Sequence, residues 1–302
     1  MIDRITIYIK DVELDDIKDL LDLLSAGEAK DGSLIYSTQL RNLKIIYKGR
    51  SLWIAGSFHK YAKGNNYSLF TYDEAKNVLF ELSEYTGISL ERFIVSSVEL
   101  AVNIQMEENA EKYLNILHSY MAHPFIYMSP MKGTSRLKGC KCHLSAYTIK
   151  FYDKTFETIK SSRLPKERWT EIPDNLLRYE IQLSRKQLKN NGFINVTGKS
   201  LLSGLHYIRF KRLMDSIFDK IIFDDITINY SKMLEDDVKR YIFAKSDKYD
   251  LYLQYIKEYK GEKEYRKERR RVNELFKRTA LLVKGTFESE LKSKFKLAMS
   301  KI

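Results

Sequence analysis

The residues best suited to chemistry lie in the stretch AYTIKFYDKTFE, residues 146–157. Its alternation puts Ile149 and Phe151 on one side of a strand and Lys150, Tyr152 and Lys154 on the other. A phenol between lysines on a polar strand face suits phosphate. The phenol can attack phosphorus, and nearby cations stabilise the charge that develops. Tyr152 is therefore the expected nucleophile. Lys154 is expected to lower its pKa or to steady the pentavalent state.

Three other stretches offer acids and an imidazole with matching parity. In VSSVELAVNI, Glu99 opposes Val98 and Leu100. In LLRYEIQL, Arg178, Glu180 and Gln182 oppose Leu177, Tyr179 and Ile181. In LWIAGSFHK, Ser57 and His59 oppose Leu52, Ile54 and Phe58. Each such carboxylate alone is more often a solvated surface group. Together, Glu99, Glu180 and His59 form an expected ligand set for Mg²⁺ or Mn²⁺. The ion would polarise a phosphodiester, and the tyrosinate would displace a 3′-hydroxyl and keep the 5′-phosphate. Asp3 shares the parity of Ile5 and Ile7, so it is expected on the core side as a strand-end or turn carboxylate; the alternative is a role at the strand mouth, level with His59 and Asn103.

The elements that must position these groups follow from periodicity. Residues 2–9 alternate as a strand, and 13–24 have a helical period. Residues 43–47 and 52–58 read as a hairpin around Lys48-Gly49-Arg50. Thr71 and Glu74 have capping-box spacing ahead of a helix that ends near Gly87, and 92–104 is a further strand. That order is β-α-β-β-α-β, a ferredoxin-like arrangement with helices on one sheet face and the other left open. A helix over 110–120 and strands over 143–152 and 176–183 extend it. From about residue 184 the pattern is helical. The expected fold class is therefore α+β. The expected division is 1–190 for the sheet-bearing catalytic domain and 191–302 for a basic helical DNA-binding or accessory region.

The chain has 302 residues and a net charge of +12, which favours a polyanionic partner. Lys60, Lys63, Lys150 and Arg178 are the expected DNA-contacting cations of the sheet domain. In EKEYRKERRR, Arg266, Arg269 and Arg270 suit a helix laid along a DNA backbone or a solvated face with i,i+4 pairs. No apolar run is long enough to cross a bilayer, and residues 1–10 lack an apolar signal segment, so a cytoplasmic protein without a membrane partner is expected. Cys140 and Cys142 are separated by one residue, too few for a zinc knuckle, and are expected as reduced thiols.

In the stretches IDRITIYI, GSFHKYAKGNN, SSVELAVNI, AYTIKFYDKTFE and LLRYEIQL, taken in that order, the chain resembles replication initiators of rolling-circle elements. That group includes Rep-trans plasmid initiators and filamentous-phage-type replication proteins. The resemblance covers roughly the first three-fifths of the chain. It implies an HUH-like sheet core and a metal-dependent nicking and joining activity on double- and single-stranded origin DNA. It implies Tyr152 as nucleophile and acidic ligands at Glu99 and Glu180. A host helicase is a further expected partner. Two features depart from the family pattern: Glu99 and Asn103 stand where aspartates are common, and Lys60 and Tyr61 follow His59 where a second histidine would complete a pair. The alternatives are an origin-binding protein that does not cut and a relaxase of a mobile element.

Overall fold

The computed structural model describes residues 1–128, 139–161, 165–225, 233–246, 248–282 and 286–302. Arg163 and most of the basic loop over 128–141 lie outside them. The strands are β1 (Ile2–Lys10), β2 (Leu24–Glu28), β3 (Leu34–Leu40), β4 (Leu43–Lys48), β5 (Ser51–Ser57), β6 (Ile94–Gln105), β7 (Leu117–Tyr120), β8 (His123–Pro124), β9 (Ile126–Tyr127), β10 (Gly139–His143), β11 (Thr148–Asp153), β12 (Leu176–Ser184) and β13 (Ile221–Phe223). The helices are α1 (Leu14–Ile17), α2 (Phe58–Lys63), α3 (Tyr72–Thr86), α4 (Ala110–Asn115), α5 (Lys154–Ser161), α6 (Arg185–Asn190), α7 (Gly198–Leu202), α8 (Leu205–Phe218), α9 (Glu235–Ala244), α10 (Tyr249–Lys260), α11 (Glu262–Leu282) and α12 (Thr286–Ser300). The chain is mixed α+β.

Among the described residues, a ten-stranded antiparallel sheet runs in the order β2-β3-β4-β5-β1-β6-β12-β11-β10-β9. The four strands anticipated around β1 are neighbours in the order β4-β5-β1-β6. The helix expected over 13–24 is a single turn, α1. Leu20 and Leu24 are exposed rather than packed, and residues 24–28 pair with β3 instead of continuing the helix. The strand β3 escapes periodicity because its residues are half-exposed on both faces. The hairpin between β4 and β5 turns at Gly49 and Arg50, both at positive φ (52° and 58°), as a two-residue turn of primed type requires.

Ser57 ends β5 and caps α2 by accepting from the Lys60 amide. Thr71 and Glu74 form a capping box on α3, which closes at Gly87 in the left-handed region. The α3 face of Ala75, Val78, Leu79 and Leu82 is buried. The segment expected as one helix over 110–120 divides into α4 and β7, and the strand over 143–152 divides into the hairpin β10–β11.

The apolar sheet face carries Ile5, Ile7, Leu100, Ile149, Phe151, Tyr179 and Ile181, all buried. An aromatic cluster extends this core. Phe151 stacks on Tyr179 at 4.8 Å, Tyr179 meets Phe295 edge-on at 5.6 Å, and Phe295 stacks on Phe218 at 3.8 Å. These rings explain why the division differs from the expected 190/191 boundary. One compact unit comprises residues 1–223 and 293–302; the other comprises 224–292. α8 brings Phe218 onto the sheet core, so it belongs with the sheet. In the second unit, Tyr241 meets Phe276 edge-on at 5.2 Å between α9 and α11. No described helix is long and apolar enough to cross a membrane.

Candidate active site

Strand register brings the acids together. Arg4 of β1 pairs with Glu99 of β6, Lys150 of β11 with Glu180 of β12, and Tyr152 with Arg178. Tyr152 and Glu180 are thus diagonal neighbours on one face, within reach for long side chains. The Tyr152 hydroxyl donates to Glu180 Oε1 at 2.6 Å. Lys150 Nζ lies 3.6 Å from Glu99 and 3.7 Å from Glu180.

Asp3 joins this group against its parity. β1 carries an irregularity between Ile2, which pairs with Leu100, and Arg4, which pairs with Glu99. Asp3 is the extra residue, and such a bulge re-aims its side chain. The carboxylate accepts from Ser57 Oγ at 2.5 Å and from Arg178 Nη2. Carboxylate oxygens of Asp3, Glu99 and Glu180 lie within 4.8 Å of one another. They line a cleft of about 500 Å³ with Tyr152, Lys150 and Glu157, and Arg4, Asn42 and Lys60 line it too.

Arg178, expected to contact DNA, is only 1% exposed and held by protein partners. Beyond Asp3, its Nε donates to Glu180 Oε1 at 2.6 Å, and its Nη1 donates to Asn103 Oδ1 at 3.0 Å and to the Asn66 carbonyl at 2.8 Å. Asn103 Nδ2 also donates to the carbonyls of Asn66 and Tyr67, both at 3.1 Å. The loop around Asn66 therefore covers this part of the sheet face, which is not open as expected. A buried guanidinium needs such full pairing. Arg178 commits four of its five N–H donors to these partners and is buried among them, which fixes the acids in place and sets it apart from an exposed phosphate contact.

His59 lies in the first turn of α2, one residue beyond the expected strand parity. Its Nε2 is 3.3 Å from Ser68 Oγ, and its ring stacks on Phe70 at 4.8 Å. The structure does not bring it into the carboxylate group. Lys154 is likewise off the strand, at the start of α5. It is buried, donates to Glu157 at 2.5 Å, and sits 5.9 Å from the Tyr152 ring centroid. Lys60 lies at the cleft rim, whereas Lys63 pairs with Glu74. In the second unit, Arg266 pairs with Glu262 at 2.9 Å and Arg269 lies over the Tyr265 ring at 5.7 Å. Arg270 is exposed. Both cysteines are free thiols and buried.

Burial sets the electrostatics. It pushes Glu99 up to about 7, with the Glu180 charge adding and Lys150 opposing. Burial also raises the Tyr152 phenol well above its ordinary value; Arg178 opposes and Glu180 adds. Burial works to raise Asp3, but Arg178 and the Ser57 hydroxyl bring the net value below the usual carboxylate range. Burial depresses Lys154, and the Arg178 charge adds to that. Burial lowers His59 to about 3, so its ring is neutral.

The donor set suits a hard cation. With Glu99 ionised, three carboxylates face two cations, Arg178 and Lys150, which leaves excess negative charge, and oxygen ligands fit Mg²⁺ or Mn²⁺. Sequence reasoning left Asp3 out of the ligand set because a strand bulge breaks the alternation on which parity depends. No protein-family model matches the chain, and no curated protein matches its sequence.

Proposed function

We propose that the chain is a replication initiator of rolling-circle type that nicks and rejoins origin DNA through Tyr152. The observation that carries this reading is the 2.6 Å hydrogen bond from Tyr152 to Glu180 beside two further carboxylates in one cleft. The strand order β4-β5-β1-β6 supports a ferredoxin-like, HUH-like core, with β2 and β3 inserted where a crossover helix would stand. Mg²⁺ or Mn²⁺ would be held by Asp3, Glu99 and Glu180 and would polarise the phosphodiester.

The chain's own residues account for the remaining steps. A phenol with a raised pKa is neutral near pH 7, so its proton must be removed. Glu180 Oε1 is placed to accept it. The phenolate oxygen then bonds to phosphorus while the bond from phosphorus to O3′ breaks. The leaving oxygen takes a proton from the Lys150 ammonium or from water. The 5′-phosphate stays on Tyr152, and a 3′-hydroxyl remains as a primer end. Reversal of these steps rejoins the strand. Arg178 holds the Glu180 carboxylate in orientation through its Nε contact.

Supercoiled DNA carrying the replicon, incubated with Mn²⁺, should relax and yield protein linked to a 5′ end at Tyr152. Tyr152→Phe should lose both products. If that variant cuts as well as the parent, the assignment is wrong. Retained origin binding by a parent that never cuts would favour the non-catalytic alternative.

A further inference from the structure

We infer that the sheet face beside the cleft is a stacking platform for single-stranded DNA, built on Tyr8 and Trp53. These residues are register partners on β1 and β5, and their rings stack at 4.2 Å with planes 29° apart. Trp53 is 36% exposed and Tyr8 is half-buried. Such a cross-strand pair can serve merely to stabilise the two strands. Its surroundings point further.

The platform has a basic frame. Arg4, Lys10, Lys44 and Lys48 share the face, because Lys44 registers with Ala55 and Ala55 with Thr6, while Lys48 registers with Ser51 and Ser51 with Lys10. Arg4, Lys10 and Lys44 are exposed and make no ion pair among the described residues. Lys48 pairs with Asp31 at 3.3 Å. On the strands β1, β3, β4 and β5 this face carries no carboxylate except Asp3 in its bulge. Aromatic faces give sequence-tolerant stacking with bases, and interleaved cations track the phosphates. An acidic peptide would use the cations and leave the rings unused.

The platform also leads to the chemistry. Arg4 lies four residues from Tyr8 along β1, about 13 Å, and lines the cleft that holds Tyr152. A strand stacked on Trp53 can therefore run past Arg4 to the carboxylates. The choice of DNA rests on the proposed function; the stacking surface itself does not.

The test uses the full chain with Trp169→Phe, which leaves Trp53 as the remaining tryptophan of the 2 in the sequence. Titration is with oligothymidylate about twelve nucleotides long, without divalent metal and with Tyr152→Phe, so that cutting plays no part. Trp53 emission should be quenched on binding, and the fully paired duplex should quench it far less. Tyr8→Ala and Trp53→Ala should each weaken binding by about five- to a hundredfold, and Trp53→Phe should recover much of the loss. Unchanged emission at saturation, equal quenching by duplex, or unchanged affinity in folded alanine variants overturns the platform. If an alanine variant fails to fold, Trp53 quenching and the Trp53→Phe affinity decide. A parent that nicks while Trp53 stays silent would sink the platform and leave the nicking assignment standing. Quenching by a parent that never nicks does the reverse.

Discussion

At the scale of single residues, the cleft depends on pairing between buried charges. Arg178 contacts Asp3, Glu180, Asn103 and a loop carbonyl, so one guanidinium ties three strands and a loop together. His59 is a separate case, held neutral by burial. Its folded pKa of about 3 lies below the unfolded value near 6.5. The unfolded chain therefore binds a proton that the folded chain does not. The contribution of His59 is fully present above pH 6.5 and is lost as pH falls toward 3, at up to about 1.4 kcal/mol per pH unit. His59→Gln can keep a hydrogen bond to Ser68 and removes the titration. In urea unfolding between pH 6.5 and 5, the variant should gain stability relative to the parent as pH falls, because it lacks the His59 loss. Glu99 titrates with the opposite sign, so the difference between the two proteins is the informative quantity. Parallel profiles would mean that His59 is not buried neutral.

At the scale of elements, β10 and β11 must lie very close for Tyr152 to face the cleft. Gly139 registers with Tyr152, and a Cβ there would meet the Phe151 carbonyl at 2.5 Å and Tyr152 Cβ at 2.6 Å. Gly139→Ala should cost about 1–3 kcal/mol through forced backbone shifts and should slow adduct formation, read by denaturant unfolding and by covalent labelling. A variant with parental stability and rate would refute this dependence. Alternation revealed the strands that matter most: β1, β4, β5, β6, β11 and β12. It also placed Tyr152, Glu99, Glu180 and Lys150 on one face. Where alternation breaks, legibility stops. The bulge turned Asp3 from the core side to the cleft, α2 began one residue before His59, and α5 began at Lys154. β2 was hidden because all its residues are exposed, and β3 by mixed exposure. Arg178 had the right face but the wrong role, because a loop distant in sequence covers it.

At the scale of the whole molecule, charge is distributed unevenly. Residues 224–292 contain 17 Lys and Arg against 14 Asp and Glu, a net +3 of the chain's +12. Most of the excess positive charge thus resides in the sheet-bearing unit, although the Arg269-Arg270-Arg271 run is elsewhere. Binding to single-stranded DNA should follow that distribution. The combined change Arg4→Gln and Lys60→Gln should reduce the log–log salt slope by about 1.4, at roughly 0.7 per lost phosphate contact. The combined change Arg269→Gln and Arg270→Gln should reduce it by less. Filter binding across a salt series would decide, and the opposite ranking would return the main DNA contact to the C-terminal helices.

Asp3 and Arg178 meet across a sequence separation of 175 residues, so the pair cannot form until β12 has been made and inserted between β6 and β11. During translation, the ribosome delivers Tyr152 before Glu180, the carboxylate that accepts its hydrogen bond. If the chain cuts DNA as proposed, a polypeptide released before Glu180 would be inert, and the cell would be spared stray breaks from half-finished copies.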